Sequence, residues 1–447
     1  MDSPNREDYE MEIEADERQR EADNRQWEYE CQIERDRMEM FMMYANHPHQ
    51  HQASGSRGSS STRKTVKLNK EDGQRRLMQD YFTPNPTYDA KAFTRRYRMP
   101  PALFNRVMND VVQYDDYFKQ GTNAAGRDSF SPHQKLTAAF RMLAYGCSAD
   151  SLDESCRMAE STVLLCLRKF CSAITNIYGA QYLRAPTVDD TRHLLHHAAQ
   201  RGFPGMIGSI DCMHWEWKNC PTGWAGQFTG HKKKPTIVLE AVASYDTWIW
   251  HAFFGTPGSN NDINTLGVSP LFDHAVQGLV PKVSYVVNGK MYDQCYYLAD
   301  GIYPEWAPFV RTISTPSNQK KKLFARCQEA YRKDVERAFG ILQQRWAIVR
   351  GPSRLWDVQT LGNIMLTCII MHNMIVEDQR FEYGDGEEVN IEYENESNPN
   401  VTWEPPEHNT PTLMEYMARH NMIRDRLGHH ALQNDLIEHL WTIHGGE

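Results

Sequence analysis

The stretch GSIDCMHWEW, residues 208–217, sets one acid in the middle of an apolar strand. Met206, Ile207 and Ile210 lead up to Asp211, and Trp215 and Trp217 alternate beyond it, which predicts a buried β-strand. An unpaired charge in such a place costs several kcal/mol, so an interior carboxylate is normally paired, hydrogen-bonded or metal-bound. Two downstream acids qualify as companions. In YYLADGIYP, residues 296–304, a short apolar strand ends on Asp300 and is broken by Gly301 and Pro304. In KDVERAFGILQQRW, residues 333–346, Val335, Ala338, Phe339, Leu342 and Trp346 recur at helical spacing, with Glu336 at the edge of their stripe. Gly340, one turn later, predicts a close neighbour. Strand acid, strand acid and helix acid form a set that holds two divalent ions roughly 3.5–4 Å apart for phosphoryl transfer. Oxygen ligands of this kind fit Mg²⁺ or Mn²⁺.

Five segments, GSIDCMHWEWKNCP, WIWHAFFGTPGSNNDIN, YYLADGIYPEW, RKDVERAFGILQQR and IIMHNMIVED, resemble in order and spacing the PIF/Harbinger superfamily of DDE transposases, most of all its plant Pong-like branch. The resemblance spans about residues 75–378. It implies an α/β RNase H-like catalytic domain, a mixed sheet flanked by helices, in which Asp211, Asp300 and Glu336 are the catalytic triad. It also implies that Asp211, Asp262, Asp300 and Glu336 supply the ligands of two Mg²⁺ or Mn²⁺ ions. Asp262 reads alternatively as a helix N-cap ahead of Ile263 and Leu266. The implied activity is cleavage of double-stranded DNA at terminal inverted repeats and its insertion at short A/T-rich targets. A Myb-like DNA-binding partner, a homo-oligomer that pairs two ends, and a nuclear location belong to the same expectation. The alternative reading is a transposase-derived DNA- or chromatin-binding adaptor that does not cut; a third is a repair or RNA-cleaving nuclease on the same fold.

Charge is distributed in keeping with a polyanionic substrate. The net charge is −9, yet residues 1–44 alone carry 15 acids and 6 bases, and residues 377–407 carry 11 acids and 1 base. Residues 45–376 hold 27 acids and 39 bases, the sign needed to neutralise phosphates. Candidate DNA contacts are Lys232, Lys233 and Lys234 in a Gly- and Lys-rich hairpin or loop (219–235), Lys333 and Arg337 beside Glu336, and Arg168 and Lys169. For the lysine cluster a solvated charge run is the alternative, and for Lys333 and Arg337 it is surface pairing with Glu329 or Asp334.

Composition divides the chain into an acidic disordered tail and Ser/Gly/His linker (1–74), a helical part (75–201), the acid-bearing part (202–378), an acidic disordered linker (379–410) and a C-terminal helix (411–447). In the helical part, Ser131, Pro132 and Gln134 predict a capping box and Gly146 a stop; Ser151 and Ser161 open two more helices. Three helices with short turns fit an all-α helix-turn-helix domain whose last helix enters a major groove, and equally a bundle of purely structural use. TIVLEAVASYD and WIWHAFFG predict a hairpin turning at Asp246 and Thr247. Residues 263–295 read as a short helix and a loop-rich insert. His214 and His372 read as hydrogen-bonded structural histidines. Ten cysteines without CxxC pairs predict reduced, mostly buried thiols. The acidic N-terminus lacks a secretory pattern, and the apolar run 364–376 reads as too short for a bilayer, so no membrane association is expected.

Overall fold

The computed structural model describes residues 69–122, 126, 128–280, 282–382, 402–404 and 412–444. The N-terminal acidic tail, the histidine-rich linker and most of the acidic segment 383–410 lie outside the described residues. The strands are β1 (Met206–Glu216), β2 (Thr236–Ala243), β3 (Ile249–Pro257), β4 (Lys282–Val287), β5 (Lys290–Tyr292), β6 (Tyr296–Ala299), β7 (Phe309–Arg311) and β8 (Thr402–Glu404). Five of them form a mixed sheet in the order β3-β2-β1-β6-β7, antiparallel from β3 to β1 and parallel from β1 to β7. The expected hairpin is present: Asp246 accepts from Trp248 N at 3.2 Å, and Thr247 takes a left-handed φ of 70°. The strand that carries Asp211 therefore has neighbours on both sides. A register shift lies between Met206 and Gly208, where a Cβ on Gly208 would come within 2.8 Å of the Ala243 carbonyl.

Register then does what spacing alone does not. Ser209 is paired with Leu298 across the parallel β1–β6 ladder, so Asp211 and Asp300 each stand two residues beyond a matched pair, at the same height on adjacent chains. Neighbouring strands run about 4.8 Å apart.

The Gln319–Arg345 helix crosses this sheet with Val335, Ala338, Phe339, Leu342 and then Trp346 buried, as expected from their spacing. Gly340 is a correction: it is exposed, and a Cβ there would meet nothing within 4 Å. Two polar pegs hold the helix in place. Ser209 Oγ accepts from Val335 N at 3.1 Å, and the fully buried Gln328 donates through Nε2 to the carbonyls of Ala299 (2.8 Å) and Val310 (3.0 Å). Each peg touches a residue one or two positions from an acid of interest. Gln328→Leu orphans two buried carbonyls beside Asp300, and each such group costs about 1–3 kcal/mol. The variant is expected to lose about 2–3 kcal/mol in urea unfolding at an unchanged m-value; a change under about 0.5 kcal/mol would mean the peg is not what positions the helix.

The Val358–Glu382 helix is longer than the apolar run implied. By length and composition it is able to cross a membrane, but 78% of its most apolar window is buried inside the protein, so burial and not shortness accounts for it. It packs on the Glu160–Tyr182 helix, where Thr367 Oγ1 donates to the Cys171 carbonyl at 3.2 Å. One continuous apolar core runs from Phe93 and Phe104 through Phe170, Trp215 and Leu239 to Ile369 and Val376, so the N-terminal helices and the sheet are built round the same interior.

The Pro132–Tyr145 helix starts with the predicted Ser131/Gln134 capping box and stops at Gly146, φ 61°. The second helix of the expected helix-turn-helix is instead two single turns, Asp150–Leu152 and Asp153–Cys156. The third, 23 residues long, buries Val163, Cys166, Leu167, Phe170 and Ile174.

Four further readings change. Residues 219–235 contain a short helix, Thr222–Phe228. The insert 263–295 holds the β4–β5 hairpin, whose alternation of buried Val283, Tyr285 and Val287 was the available signal. Residues 402–404, within the segment expected to be disordered, pair with β4. The C-terminal part is two helices, Leu413–Ile423 and Arg426–His444; the second docks on the core through Leu432, Leu436 and Leu440 against Phe203, Tyr285 and Tyr296. All nine cysteines among the described residues are free thiols.

Candidate active site

Asp211 sits midway along β1 with its carboxylate 19% exposed, accepting from Cys212 N at 2.8 Å. Asp300 follows β6 directly, and its Oδ1 accepts from Ile302 N at 2.8 Å, a local turn that aims the side chain past the strand end. Glu336 lies on the exposed edge of its helix, where Arg332 one turn earlier reaches Glu336 Oε1 (3.0 Å) and Asp211 Oδ2 (3.7 Å). Asp262 is the first residue of the Asp262–Val268 helix. The cap there is Asn261, whose Oδ1 accepts from Asn264 N at 2.8 Å, so the N-cap reading of Asp262 passes to its neighbour. Asp262 instead feels the charge of Asp300.

Electrostatics tie the four acids together. Burial pushes the Asp211 carboxyl up to about 6; Asp262 and Glu336 add to the rise, while the Cys212 N–H and Arg332 oppose it. Burial also raises Asp262, followed by the charges of Asp300 and Glu240. A carboxyl whose folded pKa exceeds its unfolded value binds more protons in the native state between the two. Its contribution to stability is therefore complete below about 3.8 and lost as pH rises through about 6. Asp211→Asn, free of this titration, is expected to gain on the wild type by up to about 3 kcal/mol between pH 4 and pH 7.5 in metal-free buffer. Parallel pH-stability curves for the two proteins would refute the assignment.

Two residues of this centre escaped sequence reading. Glu240, the lone acid of the wholly buried β2, stands opposite Cys212; its Oε1 accepts from Ser269 Oγ and lies 3.2 Å from His251 Nε2, while Oε2 has no partner. The argument that singled out Asp211, an acid inside an apolar strand, applied equally to Glu240. Arg332 was legible only as a base four residues before Glu336.

The candidate DNA contacts fall into two groups. Lys232, Lys233, Lys333 and Arg168 are exposed. Lys234 pairs with Glu216 at 3.2 Å, Lys169 with Asp115 at 2.8 Å, and Arg337 with Asp334 at 3.3 Å. His214 bonds Thr236 Oγ1 at 2.9 Å, and burial holds its ring down at about 4. His372, fully buried, lies 2.8 Å from the Thr247 carbonyl and 3.0 Å from Arg345; burial and that guanidinium hold it near 3. Both are neutral, structural imidazoles at physiological pH.

The donors of the centre are carboxylate oxygens, hard ligands suited to Mg²⁺ or Mn²⁺. Of the five acids, Asp211 and Glu336 share the Arg332 guanidinium and Glu240 lies by His251 with one buried oxygen orphaned, while Asp262 and Asp300 repel each other, an excess of negative charge that a cation would relieve. In the arrangement observed, no three His, Cys, Asp or Glu side chains among the described residues close on a common point.

Residues 180–383, which contain every acid of the centre, match the plant transposon protein family, and residues 73–112 match a domain family of unknown function. The chain is similar to "Protein ALP1-like" of Arabidopsis thaliana, 22% identical over 303 residues, 66% of this chain and 73% of that protein. No solved structure is a significant match.

Proposed function

We propose that this chain, which is related to the PIF/Harbinger-derived transposon proteins, is a DDE transposase or endonuclease acting on double-stranded DNA in the nucleus. The observation that carries the reading is the matched register of Asp211 and Asp300 on adjacent parallel strands, with Glu336 brought over them by a helix pegged to both. The strand order β3-β2-β1-β6-β7, with its change from antiparallel to parallel at β1, supports an RNase H-like catalytic domain.

In this reading Asp211, Asp300 and Glu336 hold two Mg²⁺ or Mn²⁺ ions, with Asp262 as a further ligand. When bound, the ions supply Lewis-acid stabilisation of the attacking and leaving oxygens in an in-line displacement at phosphorus. The chain's own contribution is placement. The two strand acids set a fixed baseline, and the Gln328 and Ser209 pegs fix the third acid over it. A first displacement by water breaks a P–O3′ bond and frees a 3′ hydroxyl at the terminal inverted repeat, and in a second that hydroxyl attacks a phosphodiester of an A/T-rich target, whose own 3′ oxygen leaves. Exposed Lys232, Lys233, Lys333 and Arg168 are the free cations of the candidate set for the phosphate backbone. Two ends must be handled together, which calls for a homo-oligomer, and a Myb-like partner would deliver the repeat.

One observation favours the adaptor reading: the side chains as they stand do not converge on one point, and Arg332 lies between two of them. The experiment is a strand-cleavage assay of the full chain with Mg²⁺ on terminal-repeat duplex, beside a scrambled duplex of the same composition. Cleavage of the repeat alone is expected. No metal-dependent cutting would establish the adaptor, and equal cutting of both duplexes a nuclease without repeat preference.

A further inference from the structure

Arg332 is placed unlike an ordinary ion-pairing arginine. Its side chain is 18% exposed, and a single nitrogen, Nη1, is shared between Glu336 (3.0 Å) and Asp211 (3.7 Å). The strong mode of arginine is a fork, two parallel N–H groups on one carboxylate, and this side chain forgoes it. Its Nε is buried with no acceptor, a costly state for a donor. Nor is the helical spacing a favourable one, because arginine preceding glutamate by four residues is the weaker order on a helix. Hydrogen-bond geometry therefore does not explain the position. Charge does: the guanidinium stands as a point cation between two acids carried on different elements, one on β1 and one on the helix that crosses it.

We propose that Arg332 is the resident counter-cation of the acidic centre, holding Asp211 and Glu336 together in the absence of divalent metal and competing with a divalent ion for the same pair of carboxylates. The inference rests on the metal-dependent reading above, and it makes Arg332 a positioning residue of the centre. It predicts two opposite effects from one substitution. Without the cation, the acids repel and the metal-free fold weakens. With the competitor gone, the same acids bind a divalent ion more tightly.

The test compares the full-length wild type, Arg332→Gln and Arg332→Lys for Mn²⁺ binding, read by the electron paramagnetic resonance of free Mn²⁺, and for thermal midpoint with and without Mn²⁺. Arg332→Gln is expected to bind Mn²⁺ on the order of tenfold more tightly, as removal of a like charge a few ångströms away requires. Its midpoint should fall below wild type without metal and recover when Mn²⁺ is added. Arg332→Lys, which keeps the charge, should stay close to wild type in both. Should Arg332→Gln not fold, the charge-matched Arg332→Gln/Glu336→Gln is expected to do so, since one cation and one anion leave together; a double variant that also fails overturns the proposal. Arg332→Gln that binds Mn²⁺ no more tightly than wild type overturns it as well. Failure of the underlying reading looks different: the wild type then shows no Mn²⁺ site sensitive to Asp211→Asn. The metal-free midpoints of the single and double variants still decide the role of Arg332 in that case.

Discussion

Asp300→Asn is expected to lower Mg²⁺-dependent cleavage of terminal-repeat DNA by more than about 100-fold, beyond the loss that removal of an outer-shell partner causes at a metal site. Asparagine has the shape of aspartate and keeps an oxygen for Ile302 N, so the turn after β6 survives and only the charge is lost. The folded chain should be as stable as wild type or slightly more so, because Asp262 no longer faces a neighbouring anion. Single-turnover cleavage with Mg²⁺, together with a thermal midpoint, separates the effects. A decrease of less than about tenfold would mean that Asp300 does not hold the metal and would shift that role to Asp262.

The second large effect lies far from the acids. Asn373, fully buried in the Val358–Glu382 helix, accepts from Ile249 N at 2.9 Å and donates to the carbonyls of Ile249 (2.8 Å) and Tyr182 (2.9 Å). It thereby fastens the start of β3 and the end of the Glu160–Tyr182 helix to the same core helix. Asn373→Leu leaves three buried backbone groups without partners, at about 1–3 kcal/mol each, so a loss on the order of 4 kcal/mol is expected from urea unfolding. Since β3 lies two strands from β1, folded Asn373→Leu protein should retain the Mn²⁺ affinity of the wild type while its midpoint falls. A loss below about 1 kcal/mol would show that water replaces the amide, and that the motif IIMHNMIVED is not structural at this position.

These two residues also mark what sequence reading reached. The segments carrying Asp211, Asp300 and Glu336 were legible as strand, strand and helix because alternation, a Gly/Pro break and a 3.6-residue stripe are local signals, and the structure forms them there. The Ser131 capping box and the Gly146 stop were legible for the same reason. The β4–β5 hairpin was overlooked because its alternation is short and lies within a stretch rich in Gly, Pro and polar residues. The helix-turn-helix expectation misplaced both later starts, since neither Ser151 nor Ser161 caps a helix and the third begins at Glu160 after Ala159; Arg157 adopts a left-handed φ of 53° and ends the second element after one turn.

By itself, then, the sequence determined the strands and the helix that carry Asp211, Asp300 and Glu336, since these follow from periodicity and from the cost of burying charge over a few neighbouring residues. Only the tertiary structure decided which charges meet. The β1–β6 register, the seat of Glu240 beneath Cys212, the transfer of the cap from Asp262 to Asn261 and the placing of Arg332 between Asp211 and Glu336 all join positions on separate elements. Such contacts are set by how the apolar faces pack over the whole core, and no local pattern encodes the distance across a sheet.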